Sequence, residues 1–573
     1  SSLLTKGLSV HGSIAYDSYY YSRKKYSKTF PYYLARRDAE DPDYIYLIPQ
    51  SEESIWSVST GWDKNRKVYM EFGIDYNRTF GLHKTTALIL YNQSKYYSPS
   101  LQYYVPNAYQ GLVGRLTYEY ASRYLAEFNM GYNGTENFAK GKRFGFFPAV
   151  SLGWVISEEK FFPKNNIVKY LKVRGSYGEV GNDQIGGDRF LYLPSSYGAA
   201  SDSGVNKYNF GLASNPYTSL MIVENKIGNP DLTWEKAKKM NVGVDINLFN
   251  NCLTASFDIF KEKRNNILAN RSTSPMIIGA NLPAYNFGEM ENRGWEMDLN
   301  FRHHIQDFHY WARFNYSFAR NEIIYMDEVQ KRYDYQMTTG RRKNQFFGLI
   351  FDGYYNSWEE INALDRPKSS WSGNQLQPGD VKYIDVNQDG VIDDYDMVPI
   401  GYTPVPEIIY GFSFGAQYKG FDFSILFQGA DNVSIKYFGR SMWPFAKGEE
   451  SAKSLIKERW TQERYEAGEK ITFPRLSLNP NGETDHNYRP STLWIRDASY
   501  LRLKNLEVGY TFTGGFVKRL NLNSVRLYFN GSNLFTWTDV VDLDPEAPSR
   551  SGNVEINTYP LQKVYNIGLN INF

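Results

Sequence analysis

The sequence predicts an all-β chain that crosses a membrane as an antiparallel β-barrel, and three observations predict it. Apolar residues recur at every second position in about sixteen segments, the period of a strand with one wet face. Short connections between these segments alternate with long ones. Tyr 48, Phe 36 and Trp 12 make the chain 17% aromatic, while all hydrophobic types together reach only 42% of 573 residues. A soluble core leans on aliphatic side chains. A lipid-solvated wall needs apolar groups only at alternate positions and gathers aromatic rings at its two interfaces.

The same composition excludes several classes. Lys+Arg 64 against Asp+Glu 62 gives a formal net charge of +2, without the basic surplus of a nucleic-acid-binding surface. A lone cysteine, Cys252, excludes intrachain disulfides and cysteine-based metal centres. No apolar run approaches the ~18 residues of a membrane-spanning helix. The sequence opens at Ser1-Ser2-Leu3-Leu4, without an initiator Met or export signal and directly before a strand-like segment. The expectation is a chain processed or cut from something longer.

In order, the strand segments are 8–16, 68–76, 84–92, 111–120, 124–133, 147–156 and 169–177, then 240–249, 253–260, 293–302 and 310–319. The last five are 408–418, 420–429, 500–512, 523–531 and 563–573. Val242, Val244, Ile246 and Leu248 alternate with Asn241, Gly243, Asp245 and Asn247; after the Asn250-Asn251 turn come Leu253, Ala255, Phe257 and Ile259. Phe412, Phe414, Ala416 and Tyr418 lead through Lys419-Gly420 into Phe421, Phe423, Ile425 and Phe427. Between Leu503 and Leu506 the apolar phase shifts, which predicts a β-bulge. Tyr565, Ile567, Leu569, Ile571 and Phe573 alternate with Asn566, Gly568, Asn570 and Asn572 to end the chain. Most segments are close to the ~9–11 residues with which a tilted strand crosses a bilayer. The charged stretch Glu449 to Glu466 is the only decent helix candidate, and it has no broad apolar face.

The short connections are 77–83, 121–123, 157–168, 250–252, 303–309, Lys419 and 513–522. The long ones are 17–67, 93–110, 134–146, 178–239, 261–292, 320–407, 430–499 and 532–562. A soluble sandwich has no reason to place every long loop at one end, whereas an outer-membrane barrel has short periplasmic turns and long extracellular loops. The long loops are therefore expected outside the cell.

The strongest local motif is Asp385-x-Asn387-x-Asp389-Gly390-x-x-Asp393-x-x-Asp396. It has the spacing of an EF-hand loop, with side-chain oxygens for a calcium ion from Asp385, Asn387, Asp389, Asp393 and Asp396, the Val391 carbonyl between them and Gly390 at the sharp turn. Asp in place of Glu at the last position shortens the reach and predicts weak, structural binding. The bland alternative is a solvated loop of Asx-turns. Gly411-Phe412-Ser413-Phe414-Gly415 fits the G-x-S-x-G pattern but continues an alternating strand, so Ser413 is expected to face the lumen and not to be a nucleophile. His11, His83, His303, His304, His309 and His486 show no metal-ligand spacing. Aromatic rings crowd the loops at Tyr19, Tyr20, Tyr21, Tyr32, Tyr33, Tyr96, Tyr97, Tyr103, Tyr104, Trp358, Trp371 and Trp443, where they suit either cargo contact or loop packing. Arg341-Arg342-Lys343 is expected to be a solvated turn.

Four blocks carry a family resemblance. They are Asn229-Pro230-Asp231-Leu232-Thr233-Trp234-Glu235-Lys236; Tyr285-Asn286-Phe287-Gly288-Glu289 to Asn292-Arg293-Gly294-Trp295-Glu296; Pro378-Gly379-Asp380 through Asp385 to Gly390 and on to Phe427-Gln428-Gly429; and Ser499-Tyr500-Leu501-Arg502-Leu503-Lys504-Asn505 to Asn533-Leu534-Phe535 and Asp544-Pro545-Glu546. In these the chain resembles the C-terminal part of a SusC/RagA-type TonB-dependent transporter of the bacterial outer membrane. The resemblance implies a barrel of about 22 strands, with an N-terminal plug and about six strands lying outside residues 1–573. It also implies a SusD-like surface lipoprotein as lid, and coupling through the plug to TonB–ExbB–ExbD. The implied activity is import of an oligomeric nutrient, glycan or peptide, with no catalysis. A stand-alone diffusive porin and a soluble β-rich glycan-active enzyme are the alternatives.

Overall fold

The computed structural model describes residues 5–37, 45–186, 189–194, 197–199, 207–212, 217–224, 227–273, 282–371, 376–437, 442–445, 454–477, 485–547 and 561–573. Sixteen strands form one sheet in chain order. They are β1 (Leu8–Ser27), β2 (Ser57–Phe80), β3 (His83–Tyr97), β4 (Asn107–Tyr120), β5 (Tyr124–Thr135), β6 (Phe144–Val155), β7 (Val168–Asn182) and β8 (Glu235–Leu248). There follow β9 (Leu253–Ala269), β10 (Tyr285–Ile305), β11 (Phe308–Tyr325), β12 (Ile408–Tyr418), β13 (Phe421–Asp431), β14 (Tyr500–Phe512), β15 (Ser524–Thr538) and β16 (Val564–Asn572). Each pairs antiparallel with its sequence neighbours, from the β1–β2 ladder to the β15–β16 ladder. No described helix is long and apolar enough to cross a membrane, which says nothing of a barrel, since a barrel crosses with strands.

All sixteen expected segments are strands, and many are longer than expected. β1 has 20 residues, β2 has 24 and β10 has 21. The surplus lies on the long-loop side: β1 runs on past Tyr16 to Ser27, and β2 begins at Ser57 rather than near Val68. Beyond the lipid both faces meet water, so the ladder continues without the apolar alternation that a sequence pattern detects.

The exposed and inward faces separate as the period predicts. In β6, Phe146, Val150, Leu152 and Trp154 are exposed while Phe147 is buried. In β12, Phe412 and Phe414 are exposed and Ser413 lies on the opposite face, paired between Arg313 and Leu426. The bulge also appears: Leu503 faces Phe427 and Asn505 faces Leu426, leaving Lys504 as the extra residue. The tight turns use the left-handed region. Asn250 and Asn251 have φ of 56° and 67°, which short amide side chains tolerate. At Gly420 φ is 93° and a Cβ would sit 2.7 Å from the Thr511 carbonyl oxygen, so only glycine fits.

The helix expected over 449–466 is reduced to a 3₁₀ turn at Ser454–Glu458 and one α-helical turn at Gln462–Glu466, capped by the Thr461 side chain; residues 446–453 lie outside the described residues. Without an apolar stripe there is nothing to hold a longer helix. The main hydrophobic core sits in the long loops instead. The described residues of the connections after β11 and after β13 pack together around Leu349, Val381, Ile435, Phe473 and Trp494, with Trp443, Trp460 and Tyr488 among them.

The two faces predict opposite responses to charge. Leu152→Arg should weaken or block assembly by roughly 2–4 kcal/mol if it lies near the midplane, while Ser151→Arg, one residue away on the inward face, should be tolerated. Urea titration of the heat-modifiable folded band in lipid vesicles measures both, and equal damage would refute the facial assignment.

Candidate functional site

Two structures make up the candidate site: a charged inner wall that begins toward the short-turn ends of the strands, and a folded cap at the long-loop end. The wall follows from register. Inward positions on neighbouring strands lie opposite one another, so charges placed there find partners across the ladder. Arg174 of β7 donates from both terminal nitrogens to Asp258 of β9 at 2.7 Å and from Nε to Asp245 of β8 at 3.2 Å. Arg526 of β15 reaches Asp422 of β13 and, at 2.6 Å, Glu507 of β14. A Cβ on Gly509 would lie 2.7 Å from that guanidinium, so the glycine leaves room for it. Nearer the long loops, Lys239–Glu262 at 3.3 Å and Arg264–Glu235 at 3.0 Å continue the pattern. The wall is polar and its charges are fixed in place.

The cap has a polar centre inside its apolar shell. Asp380 is buried and accepts from Arg475 Nε at 2.6 Å, from Asn487 Nδ2 at 2.8 Å and from the Gln377 amide at 2.8 Å. Asn487 Oδ1 accepts from the Val381 amide, and Trp494 Nε1 donates to the Asn487 carbonyl. His486 is fully enclosed; its Nε2 lies 2.7 Å from the Val381 carbonyl and must carry the proton, so Nδ1 accepts from the Ser369 hydroxyl at 2.8 Å. Burial pushes the ring's pKa down from its usual 6.5. These residues join positions about a hundred apart in sequence. Asp380 stands in a resemblance block, but no local pattern marks Arg475, His486 or Asn487.

The loop expected to hold calcium is wound by its own side chains. Asp385 accepts from the Gln388 and Gly390 amides, Asn387 Oδ1 from the Asp389 amide, Asp389 from that of Val391, and Asp393 from that of Tyr395. Gly390 turns the chain with φ of 83°, and Val391–Ile392 pair in parallel with Lys368–Ser369. Asp396 is buried, and its two oxygens accept the amides of Val386, Asn387 and Asp393. Burial raises its pKa against the pull of those amides. Among the described residues no group of three or more His, Cys, Asp or Glu side chains is arranged to hold a metal ion.

The other singled-out residues fall into place. Ser413 sits mid-strand, without the strand-to-helix turn of a nucleophile elbow. His11 meets Asp75 at 2.9 Å and His83 meets the Tyr118 hydroxyl at 2.7 Å, while His303, His304 and His309 lie by the β10–β11 turn. Trp443 is packed in the cap core against Tyr488, and Trp371 lies under the Arg489 guanidinium at 4.6 Å; Trp358 stays exposed. Arg342 departs from the expected solvated turn: with Arg320 it clasps the buried carboxylate of Glu407, held below the usual range by the two guanidinium groups despite its burial.

The family profile described as "TonB dependent receptor-like, beta-barrel" matches residues 4–534. The chain belongs to this family. Among curated relatives it is 28% identical over 479 residues to TonB-dependent receptor P3 of Formosa agariphila, covering 80% of this chain and 45% of that protein. To TonB-dependent receptor SusC of Bacteroides thetaiotaomicron it is 28% identical over 477 residues, covering 82% and 44%. The chain thus spans about half the length of these receptors. Its fold is that of the chain titled "Structure of the RagAB peptide transporter", at TM-score 0.71 and 20% identity over 99% of this chain and 60% of that one.

The buried, neutral His486 gives this receptor's cap a pH dependence with a definite sign. Its folded pKa is depressed, so the stability it confers is complete above the unfolded value near 6.5 and is lost as pH falls below it. Hydrogen exchange of segment 376–394 should accelerate below about pH 6.5, and His486→Gln should flatten that dependence.

Proposed function

We propose that this chain is the greater part of the barrel of an outer-membrane importer for an oligomeric nutrient, with its long loops outside the cell. Its partners would be a SusD-like surface lipoprotein, which the cap receives, and the TonB–ExbB–ExbD machinery, reached through a plug domain. The observation that carries this is the cap itself: two loops of the TonB-dependent receptor barrel fold around a common core over a polar, ion-paired wall. A diffusive porin has no need for so much ordered mass at its mouth. An enzyme is disfavoured because Ser413 sits mid-strand, His486 is buried in the cap and the wall carboxylates Asp245 and Asp258 are paired with Arg174. Glycan and peptide remain the two cargo classes. The receptors named TonB-dependent and the solved peptide transporter support the transport class; the cargo comes from neither.

Uptake decides between importer and porin. Cells carrying the full-length receptor should take up their oligomeric substrate, identified by mass spectrometry of what co-purifies, only with TonB present. Uptake that persists without TonB would favour the porin.

We further propose, on ligand spacing alone, that the 385–396 loop takes a calcium ion in its extracellular position. Binding would need Asp396 to exchange amide partners for the ion, which fits affinity in the ~10⁻⁴–10⁻³ M range of extracellular modules. Calorimetric titration of the purified receptor should show one such site, abolished by Asp385→Asn with Asp389→Asn. No calcium heat in the unmodified receptor would leave the loop as a self-supported set of Asx-turns.

A further inference from the structure

The outward face of β1–β3, just beyond the apolar band, carries cations that form no ion pair among the described residues. Register assigns the face. Val10 and Ile14 of β1 lie on the same side as Met70, Phe72 and Ile74 of β2 and Ile89 of β3, all exposed apolar groups. Following that side toward the long loops, Val68 faces Tyr16 and Lys95, Arg66 faces Ser18 and Tyr97, and Lys64 faces Tyr20. Lys64, Arg66 and Lys95 are exposed, and Arg66 lies over the Tyr97 ring at 4.7 Å. No Asp or Glu occupies an outward position of β1 from Tyr16 to Tyr26, of β2 from Val58 to Val68 or of β3 from Tyr91 to Tyr97. Elsewhere on the same outer surface several cations are paired. Lys261 meets Glu291 at 2.9 Å, Lys263 meets Glu289 at 3.0 Å, and Lys236 and Lys238 share Glu179 at 3.8 and 3.9 Å. Lys64 and Arg66 border a cavity of about 450 Å³ lined also by Tyr16, Tyr20, Tyr97 and Tyr104, with Lys95 two residues from Tyr97 on the same face.

Height then selects the ligand. At ~3.3 Å per residue and a tilt near 45°, Arg66 stands roughly 5 Å and Lys64 roughly 9 Å above Val68, with Lys95 level with Val68. The layer between hydrocarbon and water is about 5–8 Å thick on each side of a bilayer. Aromatic hydroxyls and unpaired cations at that depth match a negatively charged headgroup. We propose that this face binds the phosphate group of an anionic lipid in the outer leaflet, with Lys64, Arg66 and Lys95 as its cations and Tyr20, Tyr97 and Tyr104 as hydrogen-bonding walls. The proposal rests on the membrane placement above but not on the cargo or the coupling.

The full-length receptor in nanodiscs tests it, with bound lipids counted by native mass spectrometry. The discs contain phosphatidylcholine plus phosphatidylglycerol, or plus a lipid A with or without its phosphates. The unmodified receptor should enrich the two phosphate-bearing anionic lipids over phosphatidylcholine and over dephosphorylated lipid A. Lys64→Gln, Arg66→Gln and Lys95→Gln combined should lower that preference roughly a hundredfold, at about 1 kcal/mol for each cation removed. The matched control, Lys236→Gln, Lys238→Gln and Lys261→Gln, alters paired cations and should change it little. Equal enrichment by the first triple variant and the unmodified receptor would overturn the site. Displacement of the lipid by millimolar inorganic phosphate would overturn the lipid assignment in favour of a free-anion site. Failure of the unmodified receptor to enter nanodiscs would instead strike at the membrane placement, a separate outcome.

Discussion

Inside a bilayer a backbone N–H or C=O has no water to bond, and that constraint organises everything else in this chain. Each strand must be paired along both edges, so the sheet runs as one uninterrupted antiparallel ladder from β1 to β16. An antiparallel ladder needs only tight turns at one end, and the chain supplies them with Asn250-Asn251 and Lys419-Gly420 in left-handed geometry. At the other end the connections are free to grow, because they leave the lipid. Among the described residues β1 and β16 do not pair with each other, and both are exposed over nearly their whole length. In lipid such edges demand partners. The further strands implied by the SusC/RagA resemblance would fill that need.

What was legible in the sequence follows from the same constraint. Lipid enforces a strict period of two wherever a strand crosses it, so all sixteen segments and the bulge at Lys504 could be read directly. Above the lipid the enforcement stops, and the upper halves of β1, β2 and β10 were invisible although they are regular ladder. The cap was legible only as loop length. Its core draws on residues as far apart as Leu349 and Val540, with a polar centre that brings Asp380 to Arg475, Asn487 and the Val381–His486 contact. Pairings of that separation leave no local periodicity. Arg342 shows the same limit: beside Arg341 and Lys343 it reads as a solvated turn, yet its partner Glu407 sits 65 residues on.

The cap and the wall answer different physical problems with related chemistry. In the wall, charged residues are tolerated because the inward face is polar and Arg174, Arg264 and Arg526 each meet two carboxylates. The wall therefore presents charges that are held in place by their partners. In the cap, charge is taken out of water altogether: Asp380 is enclosed and satisfied by three donors. Breaking one partner of a buried pair costs several kcal/mol, although the pair itself adds little over apolar packing. Such a centre is better suited to specifying one arrangement of two long loops than to raising stability. A cap with a single arrangement can present a defined surface to a partner.

Arg502 shows how cap and wall are joined. It lies in β14, immediately before the bulge, and is almost completely buried. Its guanidinium bonds both Asp544 oxygens at 2.9 and 3.0 Å and also reaches Glu546, while Nε donates to Thr536 of β15 at 2.9 Å. Tyr500 adds a hydrogen bond to Glu546 at 2.7 Å. One wall arginine thus holds the segment after β15, whose Val540 packs into the cap core and whose Val541 backbone bonds the Tyr437 hydroxyl. The bulge at Lys504 lets this strand end depart from the regular pleat, which is what a side chain needs to turn from the barrel surface into a loop anchor. A rigid connection follows: any displacement of the cap would load β14 and β15 directly through charge-assisted bonds. Transmission along the wall would then need no flexible linker.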